Sequence, residues 1–287
     1  MLYNEIKYEQ RGPVTIITFN RPEVKNCIGR ETHEELVHAF NCFRVNKDAK
    51  VAVITGAGDS AFCAGGDLKS GIRGNPVIPT TPEEIAQHNR GEAPGILGPS
   101  RWTDIYKPII AAVNGIAYAG GFEWACYADI RVVEAHASFG MTCRRWNIGL
   151  ADGGSQRLPR IVGMGRALEL IITGRVIDAD EALRIGLASE VVPKGTGLSR
   201  AIELAEQISD LPQAAIRTDK EAAIRGFGEP LREGLRIEAE CFNRLWTDED
   251  ARNEFIEGIR RFNEREHPDR VSGGAKTPGI VRAELDK

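Results

Sequence analysis

Pro108-Ile109-Ile110-Ala111-Ala112-Val113-Asn114-Gly115, running on through Ala119-Gly120-Gly121 into Phe122-Glu123-Trp124-Ala125-Cys126, is the stretch on which the fold is read. Ile109 to Val113 is an unbroken apolar run closed by Asn114-Gly115, the pattern of a buried strand. The glycines that follow open a second apolar run, which predicts a buried helix. Strand, Gly-rich turn and helix in succession are the unit of a layered α/β domain. The order recurs upstream, where Val51-Ala52-Val53-Ile54, stopped by Thr55-Gly56, leads to the small-residue turn Ala64-Gly65-Gly66-Asp67. Val14 to Phe19, halted by Asn20-Arg21-Pro22, is a further buried strand. Arg30 to Phe43 places Leu36, Ala39, Phe40 and Phe43 at helical spacing, with Glu31, Glu34 and Glu35 near the end where the helix dipole favours acids.

From about Gly163 the character turns helical. Residues 166–173, 178–185, 199–211, 212–226, 229–246 and 249–265 carry helical apolar spacing, punctuated by Pro193-Lys194-Gly195 and Gly226-Phe227-Gly228. The expected organisation is an α/β core over 1–196, a helical region over 197–267 and a polar tail over 268–287, whose composition reads as disordered. Residues 70–104 hold five prolines and five glycines without sustained periodicity, which predicts a long functional loop.

The 287 residues are 42% hydrophobic, enough for a large core. No run approaches the ~18 apolar residues of a membrane span, and MLYNEIKYEQ lacks the features of a secretory leader. The six cysteines show no CxxC pair and no short spacing to histidine, so neither a zinc cage nor a disulfide scaffold is expected. Reduced thiols in a cytoplasm are the expectation instead. Net charge is −4 with the two signs interspersed, and Arg144-Arg145 is the densest basic run. That distribution excludes a nucleic-acid face.

A Gly-rich turn after a strand exposes backbone N–H groups that no side chain shields from a ligand oxygen. Neither turn here matches GxxxxGK[ST], nor is there a GxGxxG with an acid about 20 residues on, so nucleotide loops are excluded. Glu123 lies on the first turn of its helix. An exposed acid there would merely complement the dipole, for about 0.3–1 kcal/mol. Set among Phe122, Trp124, Ala125 and Cys126, however, it is expected to be buried, with a raised pKa suited to acid/base work.

With these residues in place, the chain resembles the crotonase (enoyl-CoA hydratase/isomerase) family. Ala61-Phe62-Cys63-Ala64-Gly65-Gly66-Asp67-Leu68 is similar to its first signature, and 108–123 to its second. Asn20-Arg21-Pro22 with Asn26, Gly153-Gly154-Ser155-Gln156-Arg157-Leu158-Pro159, Thr173-Gly174-Arg175, 182–193 and Glu257-Gly258 with Phe262 follow in the family's order, over roughly residues 8–267. The resemblance implies a spiral of ββα units with a C-terminal helical oligomerisation region, assembled as a homotrimer or as a hexamer of two trimers. It implies an acyl-CoA thioester as partner and no cofactor or metal, coenzyme A being part of the substrate. The N–H groups of Ala64 and Gly120 would form an oxyanion hole. Ala64, Gly65, Gly66, Asp67, Leu68, Gly120, Phe262 and Arg265 would line the acyl-CoA site, and Glu123 would be a catalytic acid/base.

At the place of the family's second catalytic glutamate this chain has Cys143. A thiol, with a reference pKa near ~8.5, does not replace a carboxylate. Asp152, within Gly149-Leu150-Ala151-Asp152-Gly153, is the candidate substitute by its similarity to the aspartate of dienoyl-CoA isomerases; a turn-forming aspartate is the alternative. The leading expectation is a hydratase. A double-bond isomerase, a thioester hydrolase using Cys143 and a silent CoA-binding protein stand behind it.

Overall fold

The computed structural model describes residues 2–70, 81–90 and 93–264. These fall into two compact units, Met1–Ser209 and Asp210–Lys287.

Among the described residues the first unit carries ten strands: β1 (Ile6–Arg11), β2 (Val14–Phe19), β3 (Val51–Gly56), β4 (Ala61–Cys63), β5 (Ile109–Val113), β6 (Ile116–Tyr118), β7 (Ile130–Glu134), β8 (Ser138–Gly140), β9 (Val176–Asp178) and β10 (Glu190–Val192). They form two sheets, ordered β1-β2-β3-β5-β7-β10 and β4-β6-β8-β9. The chain visits them alternately. β3 then β4, β5 then β6, and β7 then β8 each place one strand in the large sheet and the next in the small one. A helix follows each pair: α2 (Pro82–Arg90), α3 (Gly120–Tyr127) and α4 (Gly154–Val162). This is a ββα repeat. The large sheet is parallel from β2 to β10, and only the β1–β2 hairpin is antiparallel.

Both faces of the large sheet are covered, which is why β3 and β5 read as continuous apolar runs. Ile17, Phe19, Ala52, Ile54, Ile109 and Ala111 face the main core, against Leu36, Ala39, Phe40 and Phe43 of α1 (Arg30–Val45) and against α3. Their neighbours Ile16, Val51, Val53, Ile110 and Ala112 face the other way, against Ala201 and Ala205 of α7 (Gly197–Ser209). That second apolar face keeps α7 with the sheet, so the first unit ends at Ser209 rather than at 196. Between α4 and α7 lie α5 (Met164–Thr173) and α6 (Ala179–Arg184).

The second unit, as described, comprises α8 (Gln213–Gly226), α9 (Leu231–Thr247) and α10 (Glu249–Asn263). Ile237, Cys241 and Leu245 are its buried residues on α9, and Glu221 accepts from both Arg225 and Arg244. The polar tail 268–287 and most of 70–80 lie outside the described residues.

The expected long loop is corrected. The 70–104 stretch contains a helix, α2, begun by a capping box: the Thr81 hydroxyl accepts from Glu84 N–H, and the Glu84 carboxylate accepts from Thr81 N–H. Thr81-Pro82-Glu83-Glu84 carried that signal; with only Ile85 as a large apolar residue, periodicity did not. The small sheet also went unread, because strands of three residues are too short to show a period of two.

Candidate active site

α3 is anchored by its aromatic residues. Trp124 and Phe122 are fully buried, and Trp124 stands edge-on to Phe19 at 5.4 Å between centroids and near Phe40 at 5.5 Å. Burying side chains of this size stabilises by about 1.5–3 kcal/mol each, so the start of the helix is rigid. Its N-cap, Ala119, has φ 50°, ψ −121°, a conformation that costs an L-residue about 1–3 kcal/mol. The cap is held there: Ala119 N–H donates to the Gly140 carbonyl at 2.8 Å, and its own carbonyl accepts from Phe122 and Glu123 N–H. Gly120, the first helical residue, is left with an N–H that has no acceptor among the described residues. A Cβ on Gly121 would overlap the Cys63 carbonyl, so that position requires glycine, while one on Gly120 would overlap Leu97 Cδ1, the movable end of a side chain.

The turn after β4 packs directly against this helix start. Gly65, at φ +93°, is close enough that a Cβ there would lie 2.9 Å from Gly120 N. Here the structure corrects the expected oxyanion pair. Ala64 N–H donates to the Lys25 carbonyl at 3.0 Å and is not available to a substrate. Gly66 forms a parallel bridge with Ile28, through Ile28 N–H to Gly65 O at 2.8 Å and Asp67 N–H to Ile28 O at 3.0 Å. Those bonds flank Gly66 and leave its own N–H pointing to the opposite side, with no acceptor among the described residues. Of the N–H groups in the two turns without an acceptor among the described residues, Gly66 and Gly120 line one cavity of about 150 Å³.

Glu123 and Asp152 line the same cavity, with Leu97, Cys143, Trp146 and Ile148. Glu123 is 3% exposed, and its Oε1 accepts from Gly154 N–H at 2.8 Å and Asp152 N–H at 3.0 Å. Its Oε2 has no hydrogen-bond partner among the described residues. Burial pushes the Glu123 carboxyl up, and the nearby Asp152 charge pushes it further, against the two N–H donors and Arg157. Asp152 is also raised by burial, but its Oδ1 is committed to Leu97 N–H at 2.9 Å and the Ser100 hydroxyl at 2.8 Å. Asp152 thus anchors the turn that seats Leu97 over Gly120, and stands beside Glu123 as a buried acceptor. Arg157 ties this region together, donating to the Ser100, Asp152 and Trp102 carbonyls and lying 4.9 Å from the Tyr127 ring centroid.

Cys143 reaches the cavity as expected, but burial raises its thiol despite Arg144. It is a neutral thiol, with no histidine in hydrogen-bond contact among the described residues. Leu68 lines the cavity, at 55% exposure. Asp67 turns away, its carboxylate pairing with Arg21 at 3.0 Å and accepting from Lys69 N–H at 3.1 Å. Phe262 lies exposed on α10 in the second unit, and Arg265 lies outside the described residues. Leu97, Ser100 and Trp146 were not singled out from sequence. Leu97 and Ser100 sit in Gly95-Ile96-Leu97-Gly98-Pro99-Ser100, whose turn composition was the only signal.

The Enoyl-CoA hydratase/isomerase family model matches residues 9–271. The chain belongs to that family. Its fold is the crotonase fold: the enoyl-CoA hydratase structure from Mycobacterium tuberculosis H37Rv superposes with TM-score 0.80 at 33% identity, covering 91% of this chain and 96% of that one. A short-chain-enoyl-CoA hydratase of Clostridium acetobutylicum is 35% identical over 256 residues, 88% of this chain and 94% of the relative. An (E)-benzylidenesuccinyl-CoA hydratase of Thauera aromatica is 34% identical, over 92% and 97%. Among the described residues of this crotonase-family chain, no helix is long and apolar enough to cross a membrane. Among the described residues, no group of three His, Cys, Asp or Glu could hold a metal ion.

Proposed function

We propose that this protein adds water across the 2,3-double bond of an enoyl-CoA thioester. The observation that carries the reading is that a buried glutamate with one unpartnered oxygen opens on the same cavity as two unused N–H groups. Water attacks the β-carbon while its proton passes to Glu123 Oε2. The π electrons move through the α-carbon to the thioester oxygen, and the enolate is held by Gly66 and Gly120 N–H. The same proton then passes from Glu123 to the α-carbon, so H and OH are added and Glu123 is regenerated. A pKa raised above the ordinary carboxylate range suits a group that first takes a proton and then returns it.

Isomerisation is the second reading, favoured by the neutral Cys143 where the family's second glutamate stands. Moving one proton between α- and γ-carbons needs a single carboxylate and no positioned water. The test is purified protein with crotonyl-CoA, followed by loss of the conjugated-thioester absorbance. No loss, together with a gain of that absorbance from a 3-enoyl-CoA, would replace hydration by isomerisation. The apolar side chains exposed on α9, Leu231, Leu235, Phe242 and Trp246, support a homotrimer or hexamer, which light scattering checks. Six unpaired cysteines support a reducing, cytoplasmic setting.

A further inference from the structure

We propose that Arg21 is a positioning residue for the oxyanion hole, acting through Asp67 and the Lys25–Ile28 segment to aim the Gly66 N–H. The inference rests on the reading of Gly66 and Gly120 as the oxyanion donors.

Three backbone bonds hold the 64–67 turn, and all of them run to one segment: Ala64 N–H to Lys25 O, Ile28 N–H to Gly65 O, and Asp67 N–H to Ile28 O. The direction of Gly66 N–H is therefore set by where residues 25–28 lie. That segment is not a regular element. Lys25 and Asn26 both have positive φ, 59° and 56°, a conformation that needs support from outside. Part of the support is Asn26, whose side chain accepts from Arg21 N–H at 3.0 Å and donates to the carbonyls of Ala57 and Ala61 at 3.0 and 2.8 Å.

Backbone bonds from Asn26 N–H to Arg21 O at 2.8 Å and from Lys25 N–H to Pro22 O at 3.1 Å add to it, and the Arg21 guanidinium makes a further part. One of its nitrogens, Nη1, donates to the Cys27 carbonyl at 2.9 Å, and the other, Nη2, pairs with Asp67 at 3.0 Å. Its Nε meets Glu5 at 3.1 Å, and Glu5 in turn accepts from Thr32 N–H at 2.9 Å. A single planar group thus holds the supporting segment and the far end of the oxyanion turn at once. The side chains of Arg21 and Asp67 are only 18% and 12% exposed, so this pair escapes most of the screening that weakens surface ion pairs. A lysine has the charge but not the rigid fork needed to hold both partners.

The test compares Arg21→Ala, Arg21→Lys and Asp67→Asn with the parent, each first checked by thermal melting. The direct readout is the infrared carbonyl stretch of butyryl-CoA labelled with carbon-13 at the thioester carbon. Bound under two aimed donors, it shifts to lower frequency. Arg21→Ala and Asp67→Asn are expected to lose about half or more of that shift. Misaimed donors at the distances of a bound substrate also lower kcat for crotonyl-CoA by about 10- to 100-fold, with KM nearly unchanged. Arg21→Lys is expected to fall between alanine and parent. A folded Arg21→Ala protein with the parent's shift and kcat would overturn the proposal. Were that variant not to fold, Asp67→Asn, nearly isosteric, decides by the same two measurements. The infrared readout needs no turnover. A parent that polarises the carbonyl without hydrating crotonyl-CoA would sink the hydratase reading and leave the Arg21 comparison decisive.

Discussion

Gly120→Pro removes the N–H assigned to the enolate oxygen, and Gly120→Ala is the control that keeps it. Both variants add a Cβ that overlaps Leu97 Cδ1. Leu97 cannot retreat as a backbone, because its N–H is held by Asp152 and its carbonyl by the Trp124 indole N–H at 3.2 Å. Its side chain must rotate instead, at about 0.5–1.5 kcal/mol for a displaced rotamer. That cost is common to both variants and is expected to lower kcat several-fold in Gly120→Ala. Proline is tolerated at the first position of a helix, where the N–H has no helical acceptor. The extra loss in Gly120→Pro is therefore at least that of one oxyanion donor, about 2.7–4 kcal/mol or 10²–10³ in kcat, because the ring Cδ also stands where the N–H pointed. The assay is hydration of crotonyl-CoA at saturating substrate, with melting curves for both proteins. Equal kcat in folded Gly120→Pro and Gly120→Ala would refute the assignment of Gly120 as a donor.

Glu123→Gln is expected to keep acyl-CoA binding and lose at least about 10² in kcat, since glutamine retains both N–H contacts but exchanges no proton. The same variant should melt higher, and by more as pH rises. A carboxyl raised by burial is an advantage to the fold only while protonated, below its ordinary pKa, and that contribution is lost as pH climbs through the raised value; a melting difference independent of pH would contradict this. Asp152→Asn removes the charge that helps raise Glu123 while keeping an oxygen for Leu97 and Ser100, so the rising limb of kcat/KM against pH should move to lower pH. An unmoved limb would show that Asp152 does not act on Glu123. Cys143→Ala should change kcat only a few-fold because a neutral thiol here is packing. A dead Cys143→Ala beside an active Asp152→Asn would bring thiol chemistry back.

Half of the large sheet was legible because strands buried on both faces are written as apolar runs, as in 14–19, 51–54 and 109–113. The long helices were legible because each keeps one apolar stripe. The small sheet was not, since three-residue strands hold their places through pairing partners far along the chain. Glu123 was readable as a buried carboxylate because its neighbours Phe122 and Trp124 could only lie in a core.

Sequence by itself determined that two glycine-bearing turns follow two buried strands and that a glutamate sits one turn beyond the second. Only the tertiary structure decided which N–H groups are free. Ala64, Gly65 and Gly66 are interchangeable as letters, all small and all carrying an N–H. The bridge to Lys25 and Ile28, nearly forty residues earlier in the chain, takes up Ala64 and turns Gly66 toward the cavity. Asp152 reads in sequence as a turn-former or an acid, and the structure adds that Leu97 and Ser100 occupy its Oδ1. A hydrogen bond is set by direction as well as identity, and direction comes from the rest of the fold.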